Sequence, residues 1–424
     1  MKPGLSSPCS SQAATVPPVH LTPFTSVILQ LFVILSIGIL IRIGTFTIIP
    51  DSRIHRHSGQ TLRELHDNDM SLWFWDATSE LPPVLRDGAV TIGNFDAVHR
   101  GHQELAARAR IWADRLSGPA LAITFDPPPH QVLHPGSQRP PLTTLEERAH
   151  WLQQAGVDHV IVLHTTRELL SWEAEEFFQR ILVGQLRVRA LVEGKDFRFG
   201  RQRRGDVILL EKWCLQVGCH FEVVPPIILD GTPVSSSRVR QALQSGEVDV
   251  AWSLLGRPYS VTGQVVEGTR RGRSLGFPTA NLDNVQTLLP ANGVYVVQVR
   301  AKDLDPLVAV LPTQDTQTRA KQVRPDASAC GNVPFHGSHR AAAHIGPNPT
   351  FGEQQQKLEV HLIDFQGDLY GQTLRVEFLA RLRGIHRFRS VEELKDQLRQ
   401  DIDAARHWRN RVDQAMGTSR ENPA

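Results

Sequence analysis

Short β-rich runs alternate with amphipathic helical segments through the first half of the chain, and this alternation restricts the fold more than any other feature. The β-rich runs span 89–95, 119–125, 157–163, 190–192 and 220–224. The helical segments carry apolar residues three and four positions apart and span 103–116, 145–154, 172–181 and 207–217. Strands that are connected through helices pair in parallel. The first half is therefore predicted to be an α/β domain, with a parallel sheet and helices on its faces.

The rhythm changes near Leu254, where β-rich runs follow one another without long helices between them. These runs span 261–266, 293–299, 342–345, 358–363 and 374–378. Such a pattern predicts a small antiparallel β-barrel. Segment 390–408 then alternates apolar and charged residues, and Ser390 followed by Glu393 has the spacing of a capping box. One helix is predicted to close the chain.

These patterns divide the chain into two domains, which we place at 85–250 and 251–408. The polar, aperiodic segment 302–340 is predicted to be a flexible insertion between two barrel strands. Residues 409–424 are predicted to be a disordered tail.

An apolar stretch at 27–49 lies within an N-terminal extension, 1–84, that precedes the first domain. Its uninterrupted part, 27–41, is shorter than the roughly 20 residues that a membrane-spanning helix needs. Three interpretations stay open: a membrane anchor, a targeting segment, or translated sequence upstream of the true start, for which Met70 is the favoured position. Membrane association is expected only if 27–49 is translated and inserted.

The charge balance argues against a nucleic-acid-binding surface. Lys and Arg total 46 against 44 Asp and Glu, so the net charge of +2 produces no strong field, and any phosphate site must be local. The four cysteines lack CxxC spacing and are too few for a disulfide framework in 424 residues, which fits a reducing compartment. We expect a cytoplasmic protein that is a monomer or a weak oligomer.

The string GNFDAVHRGH at 93–102 stands where a strand is predicted to end and a helix to begin. Gly93 would let the backbone approach a ligand, and the helix N-terminus offers unpaired N–H groups to an anion. His99 and His102 could donate to phosphate oxygens. Two histidines three residues apart also occur at ordinary helix starts and in metal sites, so the complete string carries the prediction of an ATP site.

This string resembles the nucleotidyltransferase signature of bacterial bifunctional riboflavin kinase/FAD synthetases. Three supporting segments follow in that family's order: TFDP at 124–127, GKDFRFG at 194–200 and VSSSRVR at 234–240. The resemblance implies a Rossmann-like HxGH domain in which His99 and His102 are catalytic. It implies ATP or phosphate contacts for Gly93, Asn94, Phe95, Asp96, Gly101, Ser235, Ser236, Ser237, Arg238 and Arg240. It implies flavin contacts for Asp126, Asp196, Phe197 and Phe199.

A second string, GTRRGRSLGFPTANL at 268–282, is rich in glycine and arginine. The Walker pattern GxxxxGK[ST] is absent, which excludes a P-loop kinase. GRxLGFPTAN resembles the hallmark of the riboflavin kinase domain, and LEVHL at 358–362 and GDLYG at 367–371 complete that pattern.

The resemblance implies a role for each residue of this second site. Thr279 and Asn281 would hold Mg²⁺ together with the ATP phosphates, and Glu359 would accept the proton of the attacking ribityl hydroxyl. Nucleotide contacts are implied for Gly268, Gly272, Arg273, Gly276 and Pro278. Flavin contacts are implied for Arg383 and Phe388.

Together the two resemblances imply an enzyme that phosphorylates riboflavin to FMN and then adenylylates FMN to FAD. Its ligands would be riboflavin, FMN, FAD and ATP. Three positions depart from the family pattern: Pro128 replaces a usual histidine, with His130 two residues on, Arg270 replaces a common glycine, and Ile385 replaces a frequent glutamate.

Two alternatives stay open. One is an enzyme with a single working half, and the other is a ligand-binding regulator without turnover. Retention of both sets of catalytic residues argues against the regulator, because binding alone needs no general base.

Overall fold

The fold is described from a computed structural model, which covers residues 71–136, 139–268, 272, 275–302, 308–310, 337–347 and 356–409. The predictions made for 1–70, Arg270, Arg273, most of the insertion and the tail beyond 409 lie outside these residues. In the described ranges no helix combines the length and apolar character needed to cross a membrane.

Fifteen strands are described. In chain order they are β1 (Ser71–Trp75), β2 (Ala89–Ile92), β3 (Ala120–Asp126), β4 (His159–His164), β5 (Ala190–Gly194), β6 (His220–Val224), β7 (Ile228–Leu229), β8 (Thr232–Pro233), β9 (Tyr259–Val266), β10 (Ala280–Asp283), β11 (Gly293–Ala301), β12 (Val308–Val310), β13 (Ser338–Gly346), β14 (Lys357–Leu362) and β15 (Thr373–Arg383).

Eight described α-helices connect or cover these strands. They are α1 (Arg100–Leu116), α2 (Pro129–Leu133), α3 (Leu145–Gln154), α4 (Ala174–Phe177), α5 (Val207–Val217), α6 (Ser236–Ser245), α7 (Val248–Leu255) and α8 (Val391–His407). Helix α4 continues as a π-helix over Phe178–Gln185, and short 3₁₀ turns occupy Pro83–Leu85, Leu169–Ser171 and Arg201–Arg203.

Local sequence explains where several helices begin. The Thr144 hydroxyl accepts a hydrogen bond from Glu147 N, and the Glu147 carboxylate accepts one from Thr144 N, which is a complete capping box at the start of α3. Ser390 Oγ accepts from Glu393 N at the start of α8, as its spacing predicted. Ser235 caps α6 in the same way through Arg238 N.

Six strands of the first half and β12 of the second half form a seven-stranded parallel sheet in the order β12-β1-β4-β3-β2-β5-β6. Its central strands are buried along nearly their whole length, because helices cover both faces. The predicted α/β architecture is confirmed. Strand β1, with the aromatic sequence SLWFW, was not identified from the sequence, and it extends the organised structure from Leu85 back to Ser71.

The strand order reverses direction between β2 and β5. From β2 the chain proceeds through β3 to β4 on one side, whereas β5 and β6 lie on the other. In open α/β sheets ligands bind beyond the carboxyl ends of the strands at such a reversal. The carboxyl ends of β2 and β5 are therefore where a nucleotide is expected.

The second half is a closed antiparallel barrel in the order β10-β14-β13-β11-β15-β9, which confirms the predicted barrel. Side chains alternate between the barrel core and its outer face. On β14, Leu358, Val360 and Leu362 are buried in the core, and the residues between them face outward. Helix α8 packs on the outer face of β11 and β13.

The two halves belong to one compact unit and share apolar contacts. A single buried cluster runs from Val239 on α6 and Leu254 on α7 to Tyr259 and Tyr295 in the barrel. In addition, Val308–Val310, within the predicted insertion, forms strand β12 and pairs in parallel with β1 of the first sheet. This part of the insertion is thus a strand between β11 and β13 of the barrel sequence.

Two candidate active sites

The loop that joins β2 to α1 holds an unusual backbone conformation. Phe95, Ala97 and Val98 have positive φ angles of 46°, 75° and 42°. Such values are strained for residues with a side chain, at about 1–3 kcal/mol each, and they persist only where surrounding contacts impose them. The loop ends at His99, which is the N-cap residue of α1.

Asp96 is the centre of the contacts that impose this conformation. Its Oδ1 accepts hydrogen bonds from Leu142 N and Thr143 N at 2.8 and 3.3 Å, and its Oδ2 forms an ion pair with Arg240 Nη2 at 3.1 Å. Ser236 Oγ donates to the backbone oxygen of Asp96 at 2.8 Å. Helix α6 and the approach to α3 therefore fix this side of the loop.

The other side of the loop is fixed from the start of the barrel half. Arg257 donates from Nη2 to Ala97 O at 2.6 Å and from Nη1 to Val98 O at 3.0 Å. Its guanidinium also stacks over Trp151 of α3, with its central carbon 4.0 Å from the ring centre. Burial, and Arg375 nearby, lower the pKa of Arg257 to about 9, so it remains charged at neutral pH.

His99 and His102 stack on each other beyond this loop, with ring centroids 3.7 Å apart. A Cβ added to Gly101 would lie 3.2 Å from the His99 ring, so a side chain at this position would crowd the pair. Burial lowers the pKa of His99 to about 4, and burial together with His99 lowers the pKa of His102 well below its usual range. Both rings are therefore neutral at pH 7, and each has a buried Nδ1 with no hydrogen-bond partner among the described residues.

The histidine pair lines a cavity of about 1140 Å³ at the carboxyl ends of the parallel strands. The structure brings together in its wall the predicted residues Gly93, Asn94, Phe95, His99, Gly101, His102, Asp196, Phe197, Phe199 and Ser236. Phe197 and Phe199 stack with centroids 5.5 Å apart and form an apolar wall suited to a planar ring. The volume is sufficient for two substrates side by side.

Six other predicted residues do not line this cavity: Asp96, Asp126, Ser235, Ser237, Arg238 and Arg240. Arg238 donates to backbone oxygens of the β7–β8 hairpin, at 2.8 Å from Thr232 O. Arg240 is paired with Asp96 and donates to Pro140 O at 2.6 Å. In this structure the two arginines therefore stabilise neighbouring loops through these hydrogen bonds and do not reach the cavity.

His130, two residues after Pro128, lies in the cavity wall at α2. Its Nε2 is buried and has no hydrogen-bond partner in the ranges that the structure covers. Burial and Arg139 lower the pKa of this imidazole, which favours the neutral ring. The structure thus brings His130 to the site, whereas Pro128 is the N-cap residue of α2 and does not line the cavity.

A row of side chains crosses three neighbouring strands of the barrel. In the strand register Asn281 on β10 is opposite Glu359 on β14, and Glu359 is opposite His344 on β13. Directly opposite residues of antiparallel strands share a face, with Cβ atoms roughly 4.5–5.5 Å apart. All three residues line a cavity of about 590 Å³ on the outer face of the barrel.

Two glycines keep the surroundings of the predicted metal ligands open. A Cβ on Gly268 would lie 2.2 Å from Asn281 Nδ2, and a Cβ on Gly272 would lie 2.4 Å from Phe277 O and 3.1 Å from Thr279 Oγ1. Within the described ranges no group of three His, Cys, Asp or Glu side chains is placed to hold a metal ion. Thr279 and Asn281 offer oxygen donors that fit Mg²⁺ when phosphate oxygens and water complete its shell.

The barrel cavity contains most of the residues predicted for it. Gly268, Gly272, Pro278, Thr279, Asn281, Glu359, Arg383 and Phe388 line it, whereas Gly276 does not. Arg383 binds Asp401 of α8 through two nitrogens, with Nη2 2.7 Å from Asp401 Oδ2, and its guanidinium lies 5.7 Å from the Phe388 ring centre. Helix α8 thereby closes one side of this cavity.

His344 and Arg257 were not predicted from the sequence. His344 stands between the core residues Ala343 and Ile345, so a single polar residue within an apolar strand was the available signal. Burial, and Arg383 nearby, lower its pKa to about 4. Arg257 gives no signal in the sequence, because its partners lie about 160 positions away.

The two cavities define a transferase with two phosphate-handling sites, a histidine-loop nucleotidyltransferase followed by a barrel kinase. Family models agree with this division: FAD synthetase matches residues 81–238, and riboflavin kinase matches residues 255–409. The chain belongs to the bifunctional riboflavin kinase/FMN adenylyltransferase family.

Relatives align over most of their length. The bifunctional riboflavin kinase/FMN adenylyltransferase of Pseudomonas fluorescens is 38% identical over 327 residues, which are 77% of this chain and 94% of the relative. That of Escherichia coli (strain K12) is 35% identical over 324 residues, 76% of this chain and 93% of the relative. A crystal structure of a macrolide-efflux protein from Streptococcus pneumoniae shares the fold, with a TM-score of 0.66, 30% identity, and coverage of 80% of this chain and 100% of that one.

Proposed function

We propose that this chain makes FAD from riboflavin in two ATP-dependent steps. The barrel phosphorylates riboflavin to FMN, and the parallel-sheet half transfers an adenylyl group from ATP to FMN and releases pyrophosphate. The observation that carries this proposal is the presence of two separate cavities, one lined by His99 and His102 and the other by Thr279, Asn281 and Glu359.

In the barrel, Glu359 acts as the general base. Glu359 lies between Asn281 and His344, so its carboxylate is next to the part of the cavity that would bind the nucleotide. It accepts the proton of the ribityl hydroxyl as that oxygen attacks the γ-phosphorus of ATP, and ADP leaves. The neutral His344 ring next to it adds no competing positive charge.

Thr279 and Asn281 would hold Mg²⁺, which neutralises charge on the ATP phosphates when bound. The glycines that flank them, Gly268 and Gly272, let the nucleotide approach. Phe388 and Arg383, which line the same cavity, bind the flavin, and Asp401 holds Arg383 in position. Arg273 and Gly276 would contribute to the nucleotide loop.

In the parallel-sheet half, no protein nucleophile is needed, because an oxygen of the FMN phosphate attacks the α-phosphorus of ATP directly. His99 and His102 enter this reaction as neutral donors whose unpartnered nitrogens can bind phosphate oxygens. Gly93, Asn94 and Gly101 give the phosphates access to the start of α1. Phe197 and Phe199 stack on the isoalloxazine ring, and Asp196 binds a polar edge of the flavin.

The residues around Asp96 support the reaction indirectly. Asp96, Ser236 and Arg240 keep the histidine loop in its strained conformation, and Ser235 and Arg238 fix the start of α6. We propose His130 as the residue that replaces the family's usual histidine at Pro128, so both reactions proceed. The enzyme works in the cytoplasm as a monomer or a weak oligomer.

The test is incubation of the full chain with riboflavin, Mg²⁺ and ATP, followed by chromatographic separation of riboflavin, FMN and FAD. Accumulation of both products supports the proposal, and a chelator should stop both reactions. A second incubation that starts from FMN isolates the adenylylation step. FMN as the sole product would indicate a single working half, and binding of flavin with neither product would indicate a regulator.

A further inference from the structure

A buried glutamate, Glu193, lies in the wall of the adenylylation cavity and has no part in the mechanism above. It occupies the penultimate position of β5, is 1% exposed, and reaches toward the end of β2. Its Oε1 accepts a hydrogen bond from Ile92 N at 2.8 Å. Ile92 directly precedes Gly93 and Asn94, so Glu193 connects to the strand end that carries the proposed phosphate contacts.

The second oxygen of this carboxyl group, Oε2, has no hydrogen-bond partner in the described part of the chain, although it is buried. Burial raises the pKa of Glu193 well above its usual range, and the hydrogen bond from Ile92 N offsets this only in part. Burial at this position therefore favours the neutral carboxylic acid over the carboxylate. Because Oε1 already accepts a hydrogen bond, the proton resides on Oε2, which becomes a donor.

This group lies where the fold class leads us to expect a nucleotide. Glu193 and Ile92 stand at the carboxyl ends of β5 and β2, the point where the strand order reverses and where α/β sheets bind nucleotides. A carboxylate there would repel the ATP phosphates, whereas a neutral acid adds an O–H group that an oxygen of ATP can accept.

We propose that Glu193 binds ATP in the adenylylation site: Oε1 fixes the end of β2, and Oε2 donates a hydrogen bond to the nucleotide. This inference rests on the proposed adenylyl transfer from ATP to FMN. An unpaired buried donor is costly, and ATP supplies the missing acceptor.

The experiment compares Glu193→Gln with Glu193→Met in the full chain. Glutamine has the shape of the neutral acid and keeps one acceptor and one donor, whereas methionine fills similar space with neither. For each variant the KM for ATP and the KM for FMN are measured in FAD formation from FMN. Riboflavin phosphorylation by the same sample, in the other cavity, reports whether the protein is folded.

Glu193→Met is expected to raise the KM for ATP about tenfold, the loss typical of one hydrogen bond, with the KM for FMN nearly unchanged. Glu193→Gln should stay within about threefold of the wild type, because its amide replaces the acid. A Gln variant with the defect of the Met variant would overturn the proposal, since the ionised form would then be required. A Met variant with the wild-type KM for ATP would also overturn it. The same holds for a Met variant in which the KM for ATP and the KM for FMN change equally.

These outcomes are distinguishable from failure of the proposed function itself. If the wild-type chain forms no FAD from FMN, adenylyl transfer is wrong and the Glu193 proposal falls with it. If the wild type is active and Glu193→Met retains its KM for ATP, only the role of Glu193 is wrong.

Discussion

Asn281 and Glu359 lie directly opposite each other on the antiparallel strands β10 and β14. They are 78 positions apart in the sequence, and the strand register alone places the proposed metal ligand beside the proposed base. A slip of one residue would turn one of them into the barrel core. The barrel cavity therefore depends on closure of the whole barrel.

Glu359→Gln should remove the general base and leave the shape of the cavity intact. We expect riboflavin phosphorylation to fall by about 10²–10⁴-fold, the usual contribution of such a base, and FAD formation from supplied FMN to be unchanged. Chromatography of the flavins after each incubation measures both. The matched control is Asp396→Asn, an exposed carboxylate of α8 paired with Arg399. Phosphorylation within tenfold of wild type would rule out Glu359 as the base.

His102→Ala should affect the other reaction. Loss of one donor to the transition-state oxygens is expected to slow FAD formation from FMN by about 10²–10³-fold, with FMN formation from riboflavin preserved. His164→Ala, at the exposed end of β4, serves as the control. If the His102 variant adenylylates FMN at the wild-type rate, His102 has no catalytic role.

Arg257→Met should slow adenylylation although the residue does not line that cavity. Its guanidinium donates to the carbonyls of Ala97 and Val98, so methionine keeps the stem and releases the strained loop before His99. We expect kcat for FAD formation to fall about tenfold or more, with a smaller change in the KM for ATP. Arg399→Met on α8 is the control. An unchanged kcat would show that the loop holds its conformation without Arg257.

His344 should make stability depend on pH. On folding, burial and the nearby Arg383 lower its pKa from 6.5 to about 4, while the charge of Asp401 raises it by a smaller amount. Below about pH 6.5 the unfolded chain therefore binds a proton that the folded chain does not, and stability falls as pH falls. Between about pH 7 and about pH 5 this residue should account for about 2 kcal/mol of the loss.

The measurement for His344 is urea unfolding of the wild type and of His344→Asn at both pH values. On acidification from about pH 7 to about pH 5, the variant should lose about 2 kcal/mol less stability than the wild type. His164→Asn, an exposed histidine, should behave as the wild type. Equal pH dependence in all three proteins would contradict the buried neutral imidazole.

Much of the fold could be predicted because local patterns agree with tertiary structure. Helix α3 has the predicted bounds, since its capping box and apolar spacing are both local. Strand β12 could not be predicted, because three residues carry no period, and β1, SLWFW, is a five-residue run without alternation of apolar and polar residues.

The candidate sites show the same division. Motif residues such as His99 and Glu359 were identified because their neighbours in the sequence complete the motif. The partners of the arginines were not identified. Arg240 and Asp96, for example, are 144 positions apart, and a sequence motif does not encode such a contact. Glu193 reads as an unremarkable residue at a strand end, and only its buried, half-satisfied carboxyl group sets it apart.

Strand β12 has a consequence for how the two halves could exist separately. Because β12 comes from the barrel half and pairs with Leu72–Phe74, cutting the chain between α7 and β9 would strip the outer strand from the first sheet. The bared backbone of β1 would then be open to pairing with the same strand of another copy. The adenylylating half should therefore self-associate when it is expressed alone, because its sheet depends on the barrel half for a paired outer strand.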